Sequence, residues 1–563
     1  MYKVYLLTTL LLITGCSAIQ PNPDLSSRVS DISYEDTAIQ FQPMTMDVKV
    51  VADWSDPFVS SDIKVDLSIT TPEGNTKTLP GYFVEGKSNS ASTWRFIYTP
   101  SSRGSYQFTA LVSDDENMPY RSQSATIQVL PGEGKGFLHT YDMWSLQYDN
   151  GERFRGIGEN FGWEARDEDD SKYFKDLNEN PRFNYDQMLP KLSEQGANII
   201  RTWMIYWNLP IDWQQTHNAL RYEDSSVRFN PSGVERMDEL VELAKMHDIK
   251  LILSLDSHAG FIGNGWSRNS YNSENGGPAD SVLEFFTNEK SKSRYKDKLR
   301  FMVAKYSYAP QIAAWEFFNE IDNVMYEGEK QLIPDVVITS WHDEMAKYLA
   351  SIDPHDHIIT TSISHREVNG LFDIDELDLA QSHLYKVTKE IPEVINSFNK
   401  EYNKPYFVGE FSAEWDWSQD FNNIPEMESD FVDGLYLGLF SPTPILPLSW
   451  WWEYFDEKGT TDIFSTVKAL NNRILSDGGA IETASVSNVN SALMTLGVET
   501  SQNIYVYVTN PQDSEEKYRL HGDIPLNTPQ DILDANNGKT VNLDARNYFT
   551  IGPEERHVLI FRK

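Results

Sequence analysis

The sequence predicts a chain of three folded parts: an antiparallel β-sandwich, a central (β/α)8 TIM barrel and a small C-terminal antiparallel β domain. Three observations predict this. Short alternating apolar runs bounded by turn residues occupy positions 32–131 and return over 480–563. That period of two belongs to strands with one buried face. From 137 to 477, apolar runs alternate with amphipathic segments, the pattern of a parallel βα architecture, and eight such runs over about 340 residues fit a closed barrel with long loops.

Taken in order, residues 1–15 carry one positive charge, Lys3, followed by an apolar run too short to span a bilayer. The run ends Ile13-Thr14-Gly15-Cys16, which resembles the lipobox of bacterial lipoprotein signals. The resemblance implies cleavage before Cys16, a lipid on that residue, and an exported protein tethered to a membrane only through this anchor; an ordinary secretory signal is the alternative. Cys16 is the single cysteine, so an intrachain disulfide and a cysteine-built metal site are excluded. Residues 16–31 read as a polar tether.

In the first β region, the runs Met46–Val51, Ile63–Ile69, Trp94–Tyr98 and Ala125–Val129 are separated by turn signals such as Thr71-Pro72-Glu73-Gly74. The spacing is that of an immunoglobulin-like sandwich without its disulfide. The glycine-rich stretch at 131–136 is the linker.

Barrel strands are expected at Phe154–Gly158, Ala197–Trp203, Lys250–Leu255, Ile312–Phe318, His357–Ser362, Leu377–His383, Pro405–Gly409 and Pro444–Trp450. Pro231–Met246 reads as a helix opened by its proline, with Val234, Met237, Val241 and Ala244 on one stripe. No glycine-rich phosphate turn follows the first strand, which disfavours a doubly wound sheet. Ile504–Val508, Tyr518–Leu520 and His557–Phe561 are the expected strands of the last domain.

Asp and Glu total 84 against 48 Lys and Arg, a net charge of −36, which argues against nucleic acid as a partner. Active sites of such barrels lie at the carboxyl ends of the strands. Strand four ends in Asn319-Glu320 and strand seven in Glu410. Two carboxyls over the barrel mouth are what glycoside hydrolysis needs, one to protonate the leaving oxygen and one to attack the anomeric carbon. Glu316 shares strand parity with Glu320 and should point into the barrel, paired with Arg201. Arg201, in turn, should hold the nucleophile ionised.

These positions resemble the retaining glycoside hydrolases of the family 5 group. In that family, the Glu of an Asn-Glu pair ending strand four is the acid/base and the Glu ending strand seven is the nucleophile, which implies Glu320 and Glu410. Arg201 on strand two, His383 and Tyr385 after strand six, and Trp450-Trp451-Trp452 at strand eight, where the family places a Trp platform, match the same pattern. Asn319, His258 and Asn160 are further expected substrate contacts, Trp163 a floor residue, and His258–Asp280 a cleft loop. The triple Trp and the acidic loop Glu164–Asn180 depart from the family pattern.

The ligand implied is a β-linked glycan. No cofactor or metal is implied: His355-Asp356-His357 precedes strand five, on the stability face, and the Asp167–Asp170 run lacks Ca²⁺-loop spacing and reads as a solvated loop. A non-catalytic glycan-binding lipoprotein and a transglycosylase are the competing readings. Oligomeric state, sugar and linkage are not readable from the sequence.

Overall fold

The computed structural model describes residues 28–563 except 35–36, 115–119, 168, 327, 329, 523–525, 527 and 542–547. The expected signal and Cys16 lie outside the described residues. Among the described residues, no helix is long and apolar enough to cross a membrane.

Residues 29–130 form two sheets. One runs in the order Ser33–Tyr34, Met44–Val51, Ala91–Tyr98, Tyr82–Glu85. The other is built on the eleven-residue strand Gly104–Asp114, with Ala125–Leu130 on one side and Ile63–Thr70 on the other. Met44–Val51 alternates buried and accessible positions along its length, as a half-buried strand must. Its Met46, Val48 and Val50 share one core with Leu67, Phe96 and Phe108 from both sheets.

This module is bonded to the barrel. Asp297 of the helix Glu289–Tyr306 accepts Ser60 N–H at 3.0 Å, Ser60 Oγ at 2.5 Å and Arg228 Nη1 at 3.0 Å. Arg300 of the same helix donates to Asp66 at 2.6 Å. The His355 ring is stacked between Tyr98 and Phe137, with centroids 5.0 and 4.2 Å away, and His357 Nδ1 lies 2.8 Å from Asp353. The His-x-His pair therefore belongs to the seam beneath the barrel.

Five strands run side by side in parallel: Gly158–Asn160, Ile199–Trp203, Lys250–Ser257, Ile312–Asn319 and Ile358–Thr360. Ala380–Tyr385 pairs with Tyr406–Ser412, and a bridge from Ile363 to Ser382 joins the two groups. Residues 445–449 close the barrel by bridges Gly156–Ile445, Glu159–Ser449 and Phe411–Ser449. The eighth position, expected as a strand at Pro444–Trp450, is thus an irregular segment.

The first strand lies later than Phe154–Gly158. Phe154 belongs instead to a three-stranded antiparallel sheet of Leu138–Asp142, Ser145–Tyr148 and Arg153–Phe154. Its Leu138, Leu146, Tyr148 and Phe154 cluster with Ile199, Ile252, Ala314 and Phe407 and plug the amino end of the barrel.

Pro231–Met246 is a helix over the whole predicted span. Asn230 caps it by accepting Ser232 N–H, and Met237, Leu240, Val241 and Ala244 are buried. The C-terminal part carries the sheet Glu482–Thr483, Met494–Glu499, Asn503–Thr509, Arg556–Arg562, Asp531–Asp534. The run expected as one strand, Tyr518–Leu520, is two: Glu516–Tyr518 pairs with Phe549–Ile551, and Leu520–Gly522 with Val486–Asn488. This part is fixed to the barrel by Arg556 and Tyr507, both donating to Asp433, and by Tyr436 stacked on Tyr507 at 5.2 Å.

Candidate active site

Arg201 is fully buried on the second strand and organises the floor of the barrel mouth. Its Nε and Nη2 hold Glu316 at 2.7 Å each, a bidentate pair. Nη1 donates to Glu410 Oε1 at 2.8 Å and to Asn160 Oδ1 at 2.9 Å, and Nη2 also donates to Asn319 Oδ1 at 2.6 Å. One guanidinium therefore fixes side chains from the first, fourth and seventh strands. Asn160 is wholly buried, and its amide donates to the carbonyls of Gly409, Leu448 and Ser449 at 2.8–3.2 Å. It ties the irregular closure to the first and seventh strands and lies beneath the cleft, not facing it.

The placement of Glu410 depends on a bulge. Ser382 pairs with Val408 and His383 with Glu410, so Gly409 is the extra residue on the seventh strand. A Cβ on Gly409 would lie 1.9 Å from Oε1 of the buried Gln381, so a side chain here would push Gln381 aside. Tyr385 O–H donates to Glu410 Oε2 at 2.6 Å, opposite the Arg201 contact. Burial raises Glu410 above the usual carboxylate range, against the downward pulls of His383, Arg201 and the Tyr385 hydroxyl. Burial and the adjoining Glu410 charge raise Tyr385 well above a free phenol, so it keeps its proton.

Glu320 follows the fourth strand in a left-handed conformation, φ 53° and ψ 55°. That conformation costs a non-glycine residue roughly 1–2 kcal/mol, and strain of this kind gathers at functional sites. Its N–H is held by Ser362 Oγ at 2.9 Å and its Oε2 by Asn323 Nδ2 at 3.0 Å. His383 Nδ1 lies 2.8 Å from Glu320 Oε1 and 3.3 Å from Glu410 Oε2; His258 Nδ1 lies 3.4 Å from Glu320 Oε2. Burial raises Glu320, but the His383 hydrogen bond and the charges of His258 and His383 bring it down to about 2. The sequence reading expected the reverse polarity, Glu320 protonated and Glu410 ionised. The two imidazoles favour the Glu320 anion, and burial disfavours the Glu410 anion. One oxygen each of Glu320 and Glu410, with one nitrogen of His383, lie within 4.8 Å of one another.

Two chambers adjoin at His258 and Trp415. The larger, about 780 Å³, is lined by Glu320, Asn323, Ser364, His365, Tyr385 and Phe398. The smaller, about 300 Å³, is lined by Trp163, Trp203, Trp207, Trp417 and Trp450-Trp451-Trp452, with Arg166 and Glu453. His258 and Trp415 line both. Burial pushes Glu453 up to about 8, which leaves a neutral carboxyl beside the indoles.

Trp450 and Trp452 stand perpendicular to one another at 5.2 Å, and both contact Trp163. Trp451, at φ 65°, points away to Phe174 and Phe421, its indole N–H donating to Glu414 O at 2.7 Å. Trp452 is 1% exposed, and Trp450 is tilted 32° against Trp203 at 5.2 Å.

The structure thus brings Glu320, Glu410, Arg201, Asn319, His258, His383 and Tyr385 into one cluster. The loop His258–Asp280 differs from its reading as a cleft wall: Phe261 and Tyr271 are buried against Phe285, and only His258 and Ala259 reach the smaller chamber. The Asp167–Asp170 run is not merely solvated either. Asp169 is 3% exposed and accepts from Arg166, Ser171 and Asn178, which fixes the acidic loop. Ser362, Asn323, Trp203, Trp207, Trp415 and Trp417 were not singled out from the sequence. The aromatic spacing Trp203-x-x-x-Trp207 at the end of a strand was the available signal for two of them.

Residues 160–424 match the family Cellulase (glycosyl hydrolase family 5). The mannan endo-1,4-beta-mannosidase A of Podospora anserina is 28% identical over 177 residues, covering 31% of this chain and 44% of that protein. The mannan endo-1,4-beta-mannosidase F of Aspergillus clavatus is 29% identical over 180 residues, 31% of this chain and 38% of that one. The chain thus spans less than half the length of these curated relatives. Among solved structures, a candidate glycoside hydrolase from Bacteroides vulgatus superposes with a TM-score of 0.62 at 14% identity, over 94% of this chain and all of that one, and so shares the fold. Over residues 160–424, which lie in the barrel, the chain is therefore similar to the glycosyl hydrolase family 5 enzymes.

Proposed function

We propose that the protein is a retaining β-glycoside hydrolase acting by double displacement, with Glu410 as nucleophile and Glu320 as acid/base. The observation that carries this is the pair of carboxyl oxygens within 4.8 Å across the barrel mouth. Retaining enzymes hold their carboxyls about 5–5.5 Å apart, whereas inverting enzymes leave about 6.5–9.5 Å for a water between them.

In the first step a Glu410 oxygen bonds to the anomeric carbon as the bond to the leaving oxygen breaks, and Glu320 supplies the proton that oxygen takes. In the second, water attacks the glycosyl ester, Glu320 takes the water's proton, and Glu410 leaves as a carboxylate. The Arg201 Nη1–H and Tyr385 O–H bonds stabilise that departing charge. The imidazole neighbours of Glu320 are His383 at 2.8 Å and His258 at 3.4 Å. A leaving oxygen placed beside Glu320 favours the carboxyl form, because charge develops there as the glycosidic bond breaks. Arg201 and Asn160 act beneath the site as positioning residues, and Trp450 is the platform for the sugar being transferred.

β-Mannans are the substrates to try first, because the curated relatives are named as mannan endo-1,4-beta-mannosidases. Export with a lipid on Cys16 would place the enzyme where it meets such polymers. The test is product release from a panel of β-linked polysaccharides by residues 17–563, beside the Glu410→Ala variant. Release by the wild type alone supports the reading. Binding by both proteins without release by either would point to a glycan-binding protein, and lengthened products with an acceptor sugar to a transglycosylase.

A further inference from the structure

Of fifteen tryptophans in the chain, Trp415 and Trp417 alone are exposed, at 58% and 48%. Both sit on the loop after the nucleophile strand, which is firmly held. The Glu414 carboxylate accepts Lys386 Nζ at 2.7 Å and the N–H groups of Trp415 and Asp416 at 2.9 and 3.0 Å. Asp416 accepts Ser418 N–H at 2.9 Å, and Phe421 is buried against Trp451. Two large rings kept in water on a fixed loop cost burial that a core position would have gained, so a ligand is the natural cover for them.

Their position selects the ligand. Glu320, the proton donor of the proposed reaction, opens into the larger chamber, so the leaving part of the substrate lies there and the transferred sugar lies in the tryptophan chamber. Trp415 borders both chambers and Trp417 only the second. Resting on the proposed glycosidase reading, we infer that Trp415 and Trp417 form a stacking platform for the outer face of a β-linked glycan chain. Trp415 would meet the chain at the bond to be cut, and Trp417 would meet it on the transferred side. Pyranose faces are apolar patches bounded by hydroxyls, which suits an indole held at the rim of a cleft. The platform selects chains of several sugars over single glycosides, since only a chain crosses from one chamber to the other.

The test compares Trp415→Ala, Trp417→Ala and Trp415→Phe with the wild type on soluble β-mannan and on 4-nitrophenyl β-mannoside. Losing one stacking surface should raise KM on the polymer roughly tenfold, with the loss on the polymer at least several times the loss on the aryl glycoside. Trp415→Phe should recover part of it. Equal losses on both substrates, or none on the polymer, would overturn the platform. Retardation in affinity gels containing β-mannan is read in parallel. If the wild type hydrolyses nothing, the glycosidase reading fails. The platform still stands if the alanine variants lose a retardation that the wild type shows, and falls if they keep it or if none is seen.

Discussion

Replacing Arg201 by methionine removes the guanidinium that holds both Glu316 and Glu410. The side chains of Arg201, Glu316 and Glu410 are 0%, 0% and 4% exposed, and three charge-assisted bonds of 2.7–2.8 Å join them. Methionine fills much of the volume, so the cost is mainly electrostatic. Breaking a buried pair by removing one partner costs about 3–5 kcal/mol. At roughly 2 °C per kcal/mol for a domain of this size, the melting midpoint should fall by about 6–10 °C. The sign with pH is fixed. Buried carboxyls that lose the guanidinium must bind protons or stay charged in the core, so the folded variant binds more protons than its unfolded chain above about pH 4.3. The deficit is therefore smallest near pH 4 and grows towards pH 8. Adding Glu316→Gln should return about half of the lost stability at pH 8. Thermal melts of the three variants at pH 5 and pH 8 measure this. A midpoint within 2 °C of the wild type at pH 8, or no recovery in the double variant, would refute the account of Arg201 as the organiser of the mouth.

Three further outcomes are expected. Tyr385→Phe removes a hydrogen bond that lowers Glu410, so the acid limb of kcat/KM should move to higher pH and kcat should fall by roughly 10–100-fold; an unmoved limb would contradict it. His258→Gln removes a charge that lowers Glu320, so the basic limb should also move to higher pH, as pH–rate profiles on one substrate would show. Burial lowers His342 to about 4, so the unfolded chain binds its proton first as pH falls below about 6.5, and stability is lost from there down to pH 4. The difference amounts to about 3 kcal/mol, and His342→Gln should flatten that part of the stability curve measured by urea unfolding.

The placement of the site residues was legible where it rests on strand parity and strand ends. Glu316 facing Arg201 follows from a period of two, and Glu320 and Glu410 follow from apolar runs that stop at a carboxylate. Pro231–Met246 was legible to its last residue because Asn230 and Pro231 announce the start. What was not legible depends on tertiary closure. Phe154 reads as barrel strand, yet it plugs the barrel because the preceding hairpin folds under it. The eighth segment keeps only bridges, since its tryptophans pack into a cluster and Trp451 turns to positive φ.

Nor does composition show the bulge at Gly409, which sets the aim of Glu410. The electrostatic surroundings of the two carboxyls were not readable for a related reason. Sequence places Arg201 near Glu410, but not the two imidazoles around Glu320 or the depth of burial of Glu410. Aromatic residues in loops were the least readable: Phe261 went inward, while Trp415 and Trp417 stayed out.

The most direct test of the central claim is the stereochemistry and covalency of one turnover. The first-formed anomer is followed by proton NMR on the cleaved glycan, and a 2-fluoro glycoside with a good leaving group is used to trap the intermediate for peptide mass mapping. The account predicts β product at first appearance and a single added glycosyl group on the peptide that contains Glu410. First-formed α product, or a label on any other residue, would contradict it.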